Sequence, residues 1–185
     1  MNRTIWTPTL AWLAAASAAL ALALAAPSES NVMGRLPELT AKRLDQQRIV
    51  LPYGLSSGRT LALVAFHPNQ RVEIDSWVTG LGLKHDPSIS WFKMPVMNDP
   101  GTEDARSAIE IKLLERHTSE RSRSRFVPVF TDRDAFIRAA GLSGADHASV
   151  LILDREGKVL ARAEGRYDER KALVLRETLL ALDDN

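Results

Sequence analysis

The apolar residues of this chain change period several times, and each change marks an element. Leu10 to Ala26 is a run of Ala and Leu broken only by Trp12 and Ser17. Asn31 to Gln47 is polar with scattered apolar residues, and Pro37 limits any helix near it. Ile49-Val50-Leu51 is a short β-type run, closed by the turn residues Pro52, Gly54, Ser56, Ser57 and Gly58. Leu61 to Phe66 is then apolar on both parities. An interior strand covered on both faces requires that pattern.

Ile74, Trp77, Val78 and Leu81 fall on one helical stripe, and Gly80 and Gly82 end it. Ile89 to Val96 returns to strand, where Pro95 signals an edge position or the strand's end. Thr102 can cap a helix whose buried stripe is expected at Ala105, Ala108, Ile109 and Leu113. Glu120 to Arg125 is polar, and Phe126 to Phe130 reads as a short strand with Pro128 at an edge or bulge. Thr131-Asp132-Arg133-Asp134 is expected to start a helix, with the Thr131 hydroxyl as cap and acidic residues in the first turn, and Gly141 to end it. Ser149 to Leu153 and Lys158 to Glu164 form a hairpin about the turn Asp154 to Gly157. The final helix is expected over Asp168 to Leu182, with Ala172, Leu175, Leu179 and Leu182 on its apolar face.

Composition narrows the chemistry. The 185 residues include no cysteine, which excludes a thiolate nucleophile, a disulfide, Cys-ligated zinc and iron–sulfur clusters. With 45% hydrophobic and 25% charged residues, the chain can bury a packed core. Its 24 Lys+Arg nearly balance 23 Asp+Glu, and one of the cations, Arg3, lies ahead of the first apolar run. The rest is formally neutral, so no nucleic acid is expected as a partner.

Residues 1–26 look like an export signal, with Arg3, an Ala/Leu core and the small-x-small sequence Ala23-Leu24-Ala25. The expected location is the periplasm after cleavage near Ala25. The alternative is an uncleaved inner-membrane anchor facing the periplasm, since Trp6 to Ala26 approaches a membrane-spanning length. A lipoprotein is excluded, because its acylated residue would be a cysteine. Residues 27–47 are expected as a connecting arm and 48–185 as the domain.

Strand, helix, strand, helix, short strand and helix, closed by a hairpin and a C-terminal helix, describe an α/β fold on a mixed sheet. Two stretches carry a resemblance: Leu61 to Trp77, a buried strand feeding a loop and helix, and Val150 to Lys158, a closing hairpin of hydrophobic run, Asp, two residues, Gly, Lys. They resemble the thioredoxin-like superfamily in its larger, peroxiredoxin-like and TlpA-like form. The resemblance implies a thioredoxin-like central mixed sheet flanked by helices over roughly Ile49 to Leu182. Phe66-His67, Gln70 and Trp77 are also similar to the mitochondrial ATP10 assembly-factor group.

In thioredoxins the loop after the first central strand carries Cys-x-x-Cys. Here it reads His67-Pro68-Asn69-Gln70-Arg71. The family's proline facing the thiols would align near Ala148, where this chain has His147-Ala148-Ser149. The resemblance therefore implies the scaffold without its usual reaction, in a module that binds an envelope protein partner in assembly or maintenance.

The candidate binding loop is His67, Asn69, Gln70 and Arg71, with His147 expected to flank the same face. Loops at strand C-terminal ends of α/β sheets are where ligands bind, while Asn69 as an N-cap would make the loop a plain turn. An enzyme or small-anion binder using His67 as acid or base is the alternative function. Arg121, Arg123 and Arg125 alternate with serines, so in an extended segment their guanidinium groups would point one way, toward an anion or simply toward solvent. The histidines His67, His85, His117 and His147 have no metal-site spacing. Neither a serine-nucleophile motif nor a phosphate-cradling glycine fingerprint is present, and no cofactor is expected.

Overall fold

The computed structural model describes residues 33–181. The leader expected over 1–26, the first part of the expected arm, and Leu182 lie outside the described residues. The fold begins ahead of the boundary expected at 48. Leu39–Lys42 (β1) pairs antiparallel with Arg48–Leu51 (β2), Leu39 opposite Leu51 and Lys42 opposite Arg48. Leu36, Ala41 and Leu44 are buried. The apolar residues of 33–47 are too sparse to set a period, yet these three each fill a place in the core. Gly34 and Gly141 take the left-handed region, with φ 104° and 67°, and their backbones pack too closely for a Cβ on either. Arg35 donates to the Ala139 carbonyl (2.8 Å), Leu36 to that of Gly157 (2.7 Å), and Val159 to that of Gly34 (3.0 Å).

Five strands form the main sheet: β3 (Arg59–Ala65), β4 (Trp91–Asn98), β5 (Val129–Thr131), β6 (Ser149–Asp154) and β7 (Val159–Glu164). Their order is β5-β4-β3-β6-β7; β3, β4 and β5 run parallel, while β6 is antiparallel to β3 and β7 to β6. Among the described residues the helices are α1 (Arg71–Gly80), α2 (Glu103–Arg116), α3 (Glu120–Ser124), α4 (Arg133–Ala139) and α5 (Glu169–Leu180). The apolar parity of β3 and β6 builds two cores. Leu61, Leu63, Val150 and Ile152 meet Ile74, Trp77 and Val78 of α1 and Ala172 and Leu175 of α5. On the opposite face, Ala62, Val64, Leu151 and Leu153 pack with Phe136 of α4 and Leu51 of β2. Each fully buried aliphatic side chain contributes on the order of 1.5–3 kcal/mol relative to exposure.

Pro95 neither ends its strand nor lies at an edge. β4 continues to Asn98 and has neighbours on both sides. Lys93 bonds toward the β5 side, donating to Arg125 O (2.7 Å) and accepting from Val127 N (2.9 Å). Two residues on, Pro95 faces the same side, and the register Val96 opposite Val129 places it across from Pro128. Its missing N–H falls where the β4–β5 ladder is already broken, so the β3–β4 pairing stays intact. For the same reason β5 starts only at Val129, and Phe126 makes an isolated bridge to Lys93.

Three helical expectations change. Thr102 caps α2 as expected, accepting from Ala105 N at 3.3 Å. However, α2 has no buried residue: Ala105, Ile109 and Leu113 are half-buried and Ala108 is exposed. Glu120–Ser124 is a short helix and not an extended segment, with the Ser119 hydroxyl accepting from Ser122 N. Asp132, and not Thr131, caps α4 through Ala135 N (2.9 Å).

Candidate functional site

The loop leaving β3 is braced from inside by Gln70. Pro68–Gln70 makes one 3-10 turn that runs into α1, and the Gln70 side chain turns inward, only 3% exposed. Its Oε1 accepts from Phe66 N (2.7 Å) and His67 N (3.2 Å), and its Nε2 donates to Ala145 O (2.6 Å). These bonds satisfy backbone groups that the strand exit would otherwise leave unpaired. Gln70 is therefore a brace and not a contact residue, contrary to its place among the binding candidates. The capping role expected of Asn69 is absent: Asn69 is exposed inside the turn, and His67 is the extended residue preceding it. His67, Asn69 and Arg71 remain on the surface.

The His147 side chain pairs with Glu73. Its Nδ1 lies 3.0 Å from Glu73 Oε1 in the first turn of α1, while Glu73 Oε2 accepts from Ala148 N at 2.7 Å. Burial pushes the Glu73 carboxyl up, but the bonds from His147 and Ala148 outweigh it and hold the group below its ordinary value. The Ala148 N–H is thereby in use.

Beside the loop runs a trench whose floor is the alternate β4 residues Trp91, Lys93, Pro95 and Met97, all on one face of the strand. Its upper part is an apolar cavity of about 210 Å³, walled by Leu63, Ala65, Ile74, Leu113 and Phe126, with His67 and Arg116 among its lining. Of the half-buried stripe of α2, Leu113 faces this space. The lower part, about 560 Å³, lies between α1 and α3 and carries Lys84, Arg121 and Arg125. Arg71, Lys93 and His117 line both parts.

The lower compartment is positively charged. Asp75 is the one carboxylate among its described lining residues, and it is shared by Lys93 Nζ (2.7 Å) and Arg71 Nε (3.4 Å). The three arginines expected to point one way diverge, because α3 is helical. Arg125 stacks over the Trp91 ring at 4.5 Å, Arg123 donates to His117 O at 2.7 Å, and Arg121 lines the groove with Arg125. His117 Nδ1 is 2.7 Å from Ser122 Oγ, and its ring packs 4.1 Å from Phe126. Burial, then the charges of Lys93, Arg71, Arg116 and Arg123, push its pKa down. Burial and Arg121 likewise lower that of Arg125.

Sequence reasoning missed Lys84, Trp91, Lys93 and Asp75 as parts of one groove. A signal was present: Lys93 is a charge inside the otherwise apolar run Trp91 to Val96, and a buried strand tolerates such a residue only beside a partner or an opening. Among the described residues no group of three or more His, Asp or Glu side chains is placed to hold a metal ion.

Fold and site together define a thioredoxin-like module in which the redox loop holds no thiol and opens on a trench, so thiol–disulfide chemistry is absent. Solved structures carry the same fold. A candidate electron transfer protein from Aquifex aeolicus matches with a TM-score of 0.56 at 11% identity, over 83% of this chain and 97% of its own. BsSco, a member of the Sco family of cytochrome c oxidase assembly proteins, matches with 0.51 at 13% identity, over 78% and 91%. A candidate electron transport protein, also from Aquifex aeolicus, matches with 0.55 at 12% identity, over 80% and 98%. At these identities the likeness is one of fold. No family model and no curated protein sequence matches the chain.

Proposed function

We propose that this protein is an exported, redox-inactive thioredoxin-like module that binds a protein partner in envelope assembly or maintenance. It presents His67, Asn69 and Arg71 and the trench beside them. The observation that carries this reading is the open apolar cavity at the fold's usual reaction site. A domain with no use for that face would fill it, since unfilled apolar space forfeits packing contacts. BsSco, an assembly protein by description, shares the scaffold. The alternative, acid–base chemistry at His67, has less support, because His147 is tied to Glu73. Export rests on the Ala/Leu run and Ala23-Leu24-Ala25.

A photo-crosslinking residue placed at Asn69 of the full chain, in cells, tests the partner. One reproducible protein adduct from position 69, absent from the same probe at exposed Arg155, is the expected result. No adduct, or the same adducts from both positions, counts against it. Fractionation with intact-mass measurement tests location. A periplasmic species starting at Ala26 fits cleavage, the full 20.4 kDa chain in the membrane fraction fits the anchor, and a cytosolic pool would refute export.

A further inference from the structure

We infer that the trench receives an extended acidic segment of the partner, anchored by one apolar side chain in the upper cavity. This rests on the partner-binding reading and adds the chemistry of what is bound.

Size comes first. From Trp91 to Met97 the floor spans six residue steps, about 20 Å at the rise of a strand, and so matches an extended stretch of about six residues. The apolar end, about 210 Å³, has room for one large side chain. For scale, a cavity of roughly 150 Å³ holds a benzene molecule. A single anchor fits there, and an array of several does not.

Charge decides the rest. Among the described residues Lys84, Arg121 and Arg125 have no carboxylate partner, while Arg71 and Lys93 share Asp75. These cations come from α1, the segment after it, β4 and α3 with its C-cap, so the set complements more than one negative charge. A single carboxylate head, as on a fatty acid, would neutralise only part of the set. The Arg125 guanidinium carbon lies 4.5 Å from the centroid of the Trp91 ring, beside the groove, and a guanidinium held there suits a carboxylate. The like-charge crowding around His117 and Arg125 is relieved by an acidic ligand and aggravated by a basic one.

The test uses the full chain and a fluorescent peptide of one leucine followed by a run of aspartates. Fluorescence anisotropy should show binding that weakens with added salt. A lysine-for-aspartate peptide should not bind, and a serine-for-leucine peptide should bind less well. The double variant Lys84→Glu, Arg121→Glu alters two exposed side chains and should lose about tenfold or more in affinity. Arg121→Ala alone is the second variant, checked for folding by its melting curve. Failure of the acidic peptide to bind, equal binding of the lysine peptide, or undiminished binding by folded variants would overturn the inference. So would tighter binding of decanoate at the same site, which would assign the trench to an amphiphile. If the position-69 adduct persists in the charge-reversed variant, the acidic-segment inference fails while the partner reading stands.

Discussion

Glu73 Oε2 accepts the Ala148 backbone N–H at 2.7 Å, tying the first turn of α1 to the residue that precedes β6. Ala148 is fully buried and Glu73 largely so. The carboxylate thus satisfies a buried donor, and Trp77, one turn further along α1, donates to Gly165 O at 2.8 Å. Two side chains of one helix hold two backbone groups, one on each side of the β6–β7 hairpin.

Placing a proline at position 148 should therefore harm the protein. Ala148→Pro removes the donor of a charge-assisted bond and leaves the Glu73 carboxylate short of a partner, a loss of about 1.5–3 kcal/mol. Glu73→Ala should fall in the same range. Urea unfolding of both variants checks this, and an unchanged midpoint for Ala148→Pro would contradict the role given to Glu73.

Gln70 and Asn69, adjacent in one loop, should differ sharply. Gln70→Ala abandons two strand-exit N–H groups and the Ala145 carbonyl. The expected loss is about 1–3 kcal/mol. Asn69→Ala should lie within about 0.5 kcal/mol of the parent, as for other exposed positions. Denaturation midpoints measured side by side decide it, and a larger loss at Asn69 would restore the capping role.

His117 should make stability depend on pH. Its folded pKa is depressed by burial and by Lys93, Arg71, Arg116 and Arg123, below the ordinary value of 6.5. Below 6.5 the unfolded chain takes up the proton more readily than the folded one, so stability is full above that pH and declines as pH falls through the window. Between about pH 7.5 and 5.5 the parent should lose more stability than His117→Gln. Parallel slopes would show that the imidazole is not held neutral.

Over the cavity, α2 should be the loosest of the long helices. Without a buried residue it has little apolar burial to hold it closed, so its amides should exchange ahead of those of α1 and of the central strands β3 and β6. Leu113→Ala should cost well under the roughly 2–5 kcal/mol expected for Leu151→Ala in the packed core. Hydrogen exchange resolved by helix, with the two unfolding curves, tests both statements.

The elements with strong periods were legible in the sequence. The two-parity runs of β3 and β6 and the stripe Ile74, Trp77, Val78, Leu81 needed only local pattern, and each packs as its pattern requires. The misreadings occur where a distant residue decides. Pro95 is tolerated because Pro128 lies opposite it across a broken ladder. The stripe of α2 looks buried in sequence, but what lies beneath Leu113 is set by β4 and α1. Arg121, Arg123 and Arg125 alternate in a way that suits a strand, whereas Ser119 caps a helix. The loop could be located from its place after β3, but the inward turn of Gln70 depends on the Ala145 carbonyl, 75 residues away.

The lacing around Gly34 also has a mechanical meaning. Tension applied to the chain ahead of Met33 reaches the domain at the backbone bonds of Gly34, Arg35 and Leu36 before it reaches β1. Those three bonds divide the load between the end of α4 and the turn of the β6–β7 hairpin, two regions distant in sequence. Until they rupture, the β1–β2 hairpin carries no force, and a tug on the domain's leading end is borne by α4 and the hairpin turn together.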